Sequence, residues 1–391
     1  MSNLHSKKYF LILLIIGVGL FIGKVGLLLV VDPLQIFHKP WVREEYFIPK
    51  MRFQAAGIIN HNSFDSIILG TSIAANFSAK EASKLWGDEF VNISPDGSLL
   101  SERSLILNYA LKKKILKNVV ISLDGYAPVN EYNADFSESN FNFLYNDSVL
   151  DDIKVYLNDK YIKYIRCKSI FPRQYSIKCS ETNSIEKVTS WSWSNDHMDR
   201  FGGIDKWFKA KNNEQIRKAF SQIVSSAHCI EYKCEELRKD QLDLKRRLKA
   251  APNAFDSYIF AIARNSPETN FYLFFPPYSR LVYGMWKQEN PEVFDLYITY
   301  IKHAVERAEE HKNIQIFGFD HLSFLDNLKN YKDPLHYHPI RNSELLEYME
   351  AGNFMLTKNN LDTYLTKINA LSEMYDVNSI GLAIERYLDN E

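Results

Sequence analysis

The stretch Phe64–Ser72 most strongly limits what this chain can fold into. A brief apolar run ends there at Gly70 and is followed by Thr71 and Ser72. Such a run is typical of a parallel strand buried on both faces, and the glycine permits a sharp turn after it. Residues 78–81 then form a capping box that opens a helix to about Trp86. We therefore expect Ser72 beyond the carboxyl end of a strand, where open α/β sheets bind ligands. Many βα units carry a serine there without a catalytic role.

The alternation of short apolar runs and helical patterns continues along the chain. Further strands are predicted at Phe90–Ile93, Asn118–Leu123, Asn270–Phe275 and Asn313–Phe319. Helices are predicted from about Ser101 to Lys113 and again from Pro291, with Asn290 as its cap. Strands that alternate with helices predict an α/β fold with a parallel sheet and right-handed crossovers.

The domain organisation follows from where this alternation is present and where it is lost. The chain has 391 residues. We expect an anchor over residues 1–32 and an exported domain over residues 33–391. The core of that domain is predicted at about 60–127 and 268–350, with a mostly helical cap inserted at about 128–251. The remaining residues, about 351–391, have the pattern of an amphipathic helical tail. Within the cap, Glu235–Arg247 is highly charged and is predicted to be a solvated helix.

Residues Tyr9–Val31 are almost continuously apolar and long enough to cross a bilayer as a helix. Lys7 and Lys8 precede them, so the positive-inside rule places the amino terminus in the cytoplasm and the rest in the periplasm or outside the cell. A cleaved signal peptide is the alternative. The apolar run is not followed by a clear cleavage site, which favours an uncleaved single-pass anchor in the cytoplasmic (inner) membrane.

Lys24 interrupts the apolar run near its outer end. Its ammonium group can reach the interface, or it can pair with a membrane partner. Gly19 and Gly23 form a G-x-x-x-G pattern that would let another helix approach closely. Both features can also occur by chance, so a membrane partner is one of two interpretations.

The composition limits the classes of ligand. The formal net charge is −1, which gives no indication of a nucleic-acid surface. Aromatic residues make up 14% of the chain, which favours an apolar or sugar-like groove over a charged one. Aromatic residues are also ordinary core material, so this indication is weak.

The four cysteines fall into two local pairs, Cys167 with Cys179 and Cys229 with Cys234. Their even number and their pairing predict two disulfides in an oxidising compartment. Four free buried thiols are an equally open alternative. Neither pair has the short spacing that is typical of a zinc site.

The segment Asp333–His336 is the second stretch that indicates chemistry. A hydroxyl nucleophile needs a base, and the base needs an acceptor that orients it. Asp333 and His336 could supply both from one loop, which Pro334 would stiffen. An ordinary surface loop is one alternative. A metal site of Asp333, His336 and His338 is another, but a fourth ligand of convincing spacing is missing.

These two stretches together resemble the SGNH (GDSL-type) hydrolases. The segment that ends in Gly70, Thr71 and Ser72 is similar to block I of that family, and Asp333–His336 resembles its last block, Asp-x-x-His. The resemblance covers about residues 60–127 and 268–350 and does not cover the cap. It implies a three-layer, flavodoxin-like α/β domain. It also implies a catalytic triad in which Ser72 attacks, His336 is the general base and Asp333 orients it.

The resemblance also implies an oxyanion hole. Gly97 matches the glycine of block II, and its N–H would bind the oxyanion together with the N–H of Ser72. The chain departs from the family at two places. Thr71 replaces the acid of block I, and the strand before Asp124 ends without the asparagine of block III. Thr71, Asp124 and His338 are predicted to line the pocket.

Such departures are similar to those of a divergent, membrane-anchored branch that serves acylation of bacterial surface polymers. The resemblance therefore implies a serine esterase or O-acyltransferase, with acetyl as the expected acyl group, an exported polysaccharide or other surface polymer as substrate, and no cofactor. Some members of that branch work beside a multi-span membrane acyltransferase. Sequence does not choose between water and a sugar hydroxyl as acceptor. A non-catalytic scaffold and a phosphodiester- or peptide-directed hydrolase are the alternatives. The second lacks the glycine-rich phosphate loop or basic cluster that would support it.

Overall fold

The computed structural model describes residues 2–124, 141–165, 181–232 and 252–390. The strands are β1 (Ser66–Leu69), β2 (Phe90–Asn92), β3 (Asn118–Ser122), β4 (Asn270–Phe275), β5 (Ile314–Gly318) and β6 (Met355–Leu356). The helices of the first half are α1 (Ser2–Val31), α2 (Met51–His61), α3 (Ala79–Trp86), α4 (Leu100–Lys113), α5 (Val149–Asp152), α6 (Ile162–Ile165), α7 (Ile185–Thr189) and α8 (Asn195–Met198). They are followed by α9 (Ile204–Lys209), α10 (Glu214–Tyr232), α11 (Ala261–Asn265), α12 (Arg280–Glu289), α13 (Pro291–Ala308), α14 (Pro339–Glu350), α15 (Lys358–Glu373) and α16 (Val377–Asp389).

The strands form one sheet in the order β2-β1-β3-β4-β5-β6. The five strands β1 to β5 run parallel, which confirms the α/β prediction. Every residue of β1, β2 and β3 is buried, so both faces of this part of the sheet are covered. The register pairs Leu69 at the end of β1 with Ile121 of β3, which aligns the carboxyl ends of the two strands.

Two details of the fold differ from the sequence predictions. A sixth strand, β6, pairs antiparallel with β5 and was not predicted, because a strand of two residues carries no periodic pattern. Asn290 precedes α13 as expected, but its side chain makes no capping hydrogen bond. By contrast, the Ser78 side chain accepts a hydrogen bond from the N–H of Glu81 and so caps α3 as predicted.

The chain divides into two compact units. The first contains Met1–Ser63 and Ser137–Val188, and the second contains Phe64–Phe136 and Thr189–Glu391 with the whole sheet. The predicted cap, residues 128–251, is therefore divided between the units, because its described residues before Thr189 pack with the amino-terminal part of the chain. That residues 128–251 form one inserted cap stays a prediction.

Helix α1 contains a stretch, Lys7–Val31, that is long and apolar enough to cross a membrane. At the carboxyl end of α1, side chains of the first unit bind the backbone. The Asp32 carboxylate accepts the N–H groups of Ile36 and Phe37 at 3.0 and 2.7 Å. Arg43 donates to the backbone oxygens of Val31 and Asp32, which lack helical partners at this end. The direction in which the chain leaves α1 is therefore fixed.

The disulfide predictions fall largely outside the described part of the chain. Cys167, Cys179 and Cys234 are outside the described residues, and so is the whole of the predicted helix at Glu235–Arg247. Cys229 lies half-buried on α10. The pairing stays a prediction.

Candidate active site

Ser72 follows the carboxyl end of β1, as the sequence predicts. A 3₁₀ turn, Ala74–Asn76, begins two residues after Ser72. The next α-helix, α3, begins at Ala79. Gly70 is required here by packing, because a Cβ atom would lie 2.3 Å from the Ser122 hydroxyl and 2.4 Å from the Cβ of Ala74. The prediction assigned it the freedom to turn, but its φ angle is not in the left-handed region. The glycine therefore lets β1 and β3 approach closely beneath Ser72.

The structure brings together the three residues predicted to form a triad. The Ser72 Oγ lies 2.9 Å from the Nε2 of His336, 264 positions away in the sequence. The His336 Nδ1 lies 2.8 and 2.9 Å from the two carboxylate oxygens of Asp333. Because a carboxylate only accepts, Nδ1 carries the proton, and the lone pair of Nε2 faces the Ser72 hydroxyl. This arrangement can remove the hydroxyl proton of Ser72.

Asp333 is buried and held as an anion. Its Oδ1 also accepts the N–H groups of Leu335 and His336, each at 3.0 Å. Burial alone would raise the pKa of Asp333, but the charge and hydrogen bonds of His336, with Lys332 nearby, hold that pKa well below its usual value. The carboxylate therefore stays charged wherever the imidazole needs an orienting partner.

The loop that carries Asp333 and His336 is fixed by backbone contacts at both ends. The N–H of Lys332 donates to the backbone oxygen of His336 at 3.1 Å, which closes the loop on itself. The Ser279 N–H donates to the oxygen of Pro334 at 3.1 Å, and the Tyr331 hydroxyl donates to the oxygen of Pro277 at 2.9 Å. The loop after β4 thus holds the triad loop in place.

Thr71 and Asp124 lie side by side at the ends of β1 and β3. The Thr71 hydroxyl donates to Asp124 at 3.2 Å, and Ser122 and the buried Arg103 donate to the same carboxylate at 3.0 Å each. Asp124 is therefore engaged by three side-chain donors of the protein itself. We assign this pair a structural role beneath Ser72, and their predicted place in the pocket stays a prediction.

The predicted oxyanion residues lie on two loops that touch each other. Gly97 has a φ angle of 56°, a left-handed conformation that favours glycine, in the turn after β2. The neighbouring Ser98 hydroxyl donates to the backbone oxygen of Gly70 at 3.1 Å, which ties this turn to the Ser72 segment. Among the described residues, the Ser72 N–H has no hydrogen-bond partner. Binding of an oxyanion by these two N–H groups stays a prediction.

His338 has a structural function in the described chain. Its Nδ1 accepts the N–H of Ile340 at 3.2 Å and so caps α14, and its ring packs edge-on against Phe201 with ring centroids 4.8 Å apart. Burial and the charge of Arg341 lower the pKa of His338. His338 therefore shapes the loop beside His336.

Sequence reasoning missed the side chains that enclose the triad. The indole N–H of Trp191 donates to the backbone oxygen of Ser72 at 2.7 Å, and the Trp191 ring lies edge-on to His336 with centroids 5.7 Å apart. The Nζ of Lys332 lies 4.1 Å from the centre of the Trp191 ring and 3.2 Å from the Nδ1 of His197. In the sequence, only the position of Lys332 next to Asp333 could have indicated that Lys332 lies beside the predicted triad.

The cations around His197 define its tautomer. Its Nδ1 faces both Lys332 and Arg200, which are donors, so Nδ1 accepts and Nε2 carries the proton. Burial and the charges of these two cations lower the pKa of His197 to about 4. Burial also lowers the pKa of Lys332 to about 8, against the opposing effect of Asp333. A neutral His197 and a Lys332 side chain with a lowered pKa therefore lie beside the predicted triad.

A cavity of about 700 Å³ is lined in part by the loop residues 333–336. Its walls come from α10, α12 and the loop, and they combine apolar and polar side chains, among them Ile223, Val282, Trp286, Gln222 and Glu289. Burial raises the pKa of Glu289, which accepts a hydrogen bond from Ser226. Aromatic and polar groups on one wall are suited to an amphipathic ligand such as a sugar.

Comparisons with known proteins found little similarity. No protein-family model matches the sequence, and no curated protein matches it. One solved structure, described as "a putative platelet activating factor from Streptococcus pneumonia", is similar with 11% identity and a TM-score of 0.36. The match covers 78% of this chain and 90% of that chain. The chemistry of this protein is therefore inferred from its own residues.

Proposed function

We propose that this protein is a membrane-anchored serine esterase or O-acyltransferase of the SGNH type that acts on acyl esters of an exported polysaccharide. One observation carries the proposal, the continuous chain of hydrogen bonds from Ser72 through His336 to Asp333. A serine hydroxyl with an oriented base is the arrangement that acyl transfer needs.

The reaction follows from the positions of the protons. The Ser72 Oγ forms a bond to the ester carbonyl carbon while its proton passes to the Nε2 of His336, which becomes imidazolium next to the charged Asp333. When the tetrahedral intermediate collapses, the carbon–oxygen bond to the alcohol breaks and His336 returns the proton to the leaving oxygen. Water or a sugar hydroxyl then gives its proton to His336 as its oxygen forms a bond to the acyl carbon. When this second intermediate collapses, the bond from the acyl carbon to the Ser72 Oγ breaks, and His336 returns the proton to that oxygen.

The N–H groups of Ser72 and Gly97 would stabilise the negative oxygen of each intermediate. The strand before Asp124 ends without the asparagine that supplies a third donor in the family that the sequence resembles. Because its carboxylate already accepts from Thr71, Ser122 and Arg103, we do not assign it to the oxyanion hole. The proposed oxyanion hole therefore consists of two backbone donors.

The cavity beside His336 supports a large alcohol group. General acid catalysis requires the leaving oxygen, and later the incoming hydroxyl, to lie next to the Nε2 of His336. The cavity of about 700 Å³, which His336 helps to line, exceeds what a water molecule needs. We infer that the sugar part of the substrate lies there, with the acyl group on the Ser72 side.

The experiment uses the full chain in detergent. Wild type and Ser72→Ala are exposed to a serine-directed phosphonate and to a chromogenic acetyl ester, and intact mass locates the adduct. The matched control is Ser78→Ala, which alters only the cap of α3. We expect one adduct, on Ser72, in wild type and in the control, and none in Ser72→Ala or His336→Ala. If the wild type is folded but forms no adduct, the proposed enzymatic activity is refuted.

The alternative function is a non-catalytic scaffold that binds polymer or a multi-span membrane acyltransferase. The Asp124 carboxylate already accepts hydrogen bonds from three side chains, and the strand before it lacks the asparagine donor of the resembled family. Both features favour the scaffold. Under this alternative, wild type and Ser72→Ala bind polymer equally and neither is labelled. Retained binding with no adduct would therefore select the scaffold.

A further inference from the structure

The exposure of α1 changes sharply at Lys24. All side chains from Lys7 to Gly23 are exposed, whereas Lys24 is half-buried and Leu28 is fully buried. The segment that covers this last part of α1 belongs to the same unit and includes a 3₁₀ turn, Ile153–Tyr156, and α6. Protein therefore packs against one side of α1 from Lys24 onward, while Leu27 and Val30 stay exposed, and only the part before Lys24 is available to lipid on all sides.

The covering segment cannot lie in hydrocarbon. The Nζ of Lys24 pairs with the Oδ1 of Asp159 at 2.5 Å, in the loop between the 3₁₀ turn and α6. Asp159 and Lys160 are exposed, and the backbone between residues 157 and 161 forms no helix or strand. Exposed charges and irregular backbone are excluded from the lipid-facing bilayer core. The outer edge of the hydrocarbon therefore lies no further out than Lys24.

Because the remaining apolar segment is short, the loop at residues 157–161 lies at the membrane surface. Tyr9–Gly23 is about 22 Å long at about 1.5 Å per residue. The hydrocarbon core is about 30 Å thick, so a segment this short pulls its flanking groups toward the membrane or thins the bilayer. The loop cannot move away from α1, because the Tyr156 hydroxyl donates to Asp32 at 2.5 Å where the helix ends.

The exposed side chains of this segment suit a membrane interface. Leu157 is 46% exposed and Ile162 is 36% exposed, although both are apolar. Lys160 and Lys163 are exposed beside them. Apolar groups that lie among cations are typical of segments that rest in the headgroup region of anionic membranes.

We propose that residues 157–163 form a membrane-docking segment that rests in the outer headgroup region of an anionic phospholipid bilayer. Lys24 marks the edge of the hydrocarbon, and Asp159 neutralises it there. The first unit thus lies directly on the membrane surface. This inference rests on the proposed spanning of the membrane by α1, and it assigns Lys24 a partner within the chain.

Tryptophan quenching by brominated lipids tests the proposal. The full chain is placed in vesicles of phosphatidylcholine and phosphatidylglycerol, with bromine near the headgroup end of the acyl chains. Leu157→Trp adds a reporter at an exposed position, and Leu14→Trp adds one within α1. The six native tryptophans of wild type give the baseline. We expect the added emission of both variants to be lost in brominated vesicles and kept in unbrominated ones.

The two reporters separate the possible failures. Loss of emission from Leu14→Trp without loss from Leu157→Trp would overturn the docking segment and leave the anchor intact. If Leu14→Trp also keeps its emission, the membrane span itself is wrong. Lys160→Glu with Lys163→Glu, added to Leu157→Trp, should weaken quenching in anionic vesicles more than in vesicles of phosphatidylcholine alone. Equal quenching in both would overturn the electrostatic part.

Discussion

The substitution Asp333→Asn tests the tautomer that the structure assigns to His336. Asp333 Oδ1 accepts two backbone N–H groups at 3.0 Å each, so an asparagine keeps its oxygen at that position. Its NH₂ group then replaces Oδ2, which lies 2.9 Å from the Nδ1 of His336. The retained oxygen also lies 2.8 Å from Nδ1, but the NH₂ group beside it opposes an N–H at Nδ1, so we expect Nδ1 to become the acceptor and the proton to move to Nε2, which faces Ser72. His336 then donates to the nucleophile and can no longer take its proton.

The expected loss is large because a single proton is misplaced while the rest of the site is kept. An enzyme with the same relationship between aspartate, histidine and serine loses about 10⁴-fold in rate on this change, which corresponds to about 5.5 kcal/mol. We expect a decrease of that order in the rate at which the phosphonate labels Ser72. Because the pKa of Asp333 lies below its usual value, the charge removed is present in wild type throughout the range from about pH 5 to 9. The loss should therefore be present throughout that range.

The assay follows phosphonate labelling of Ser72 over time by intact mass, for the full chain in detergent at several pH values. Asp362→Asn, an exposed position on α15, is the matched control and should label at the wild-type rate. Labelling of Asp333→Asn within tenfold of wild type would show that Asp333 does not set the tautomer of His336. Circular dichroism of the variant must match wild type, as the two retained backbone hydrogen bonds predict.

Three further substitutions test other parts of the site. Trp191→Phe removes the donor to the Ser72 carbonyl but keeps a ring, and we expect labelling of Ser72 to slow by about fivefold, as for one hydrogen bond of about 1 kcal/mol; an unchanged rate would contradict a positioning role. Lys332 is 2% exposed, and the lowering of its pKa from 10.5 to about 8 corresponds to about 3 kcal/mol. The unfolded chain holds this proton between pH 8 and 10.5 and the folded chain does not, so wild-type stability should rise with pH there. Thermal unfolding should show that Lys332→Met loses this rise; an equal rise in the variant would refute the assignment. Gly70→Ala places a methyl group 2.3 Å from the Ser122 hydroxyl and should lower stability by about 1–3 kcal/mol, measured as the melting temperature; an unchanged melting temperature would show that β1 and β3 can separate there.

Asp320 shows how much of the region around the triad is decided by burial. It lies two residues beyond β5 and is fully buried, and its carboxylate accepts the hydroxyl groups of Tyr283, Tyr297 and Tyr364 at 2.6 to 2.7 Å. Burial raises the pKa of Asp320, against the effect of these hydrogen bonds. The sequence predicts only a loop here, because its three partners lie on α12, α13 and α15. No local pattern connects them.

The sequence by itself determined the parts of this protein that depend on neighbouring residues. The apolar runs predicted β1 to β5 because a buried parallel strand needs large apolar side chains at successive positions. The contact between Asp333 and His336 is local, since the two residues share one loop. The apolar segment of α1 needed only its length and composition.

Tertiary structure decided everything that depends on distant partners. Packing of separate loops brings Ser72 within 2.9 Å of His336, and it also places Trp191 against the backbone of Ser72. Packing also gives Lys24 its partner Asp159 and Asp124 its three donors. These contacts depend on how separate elements pack together. A short sequence pattern specifies its own backbone conformation, but it does not specify which distant side chains pack against it.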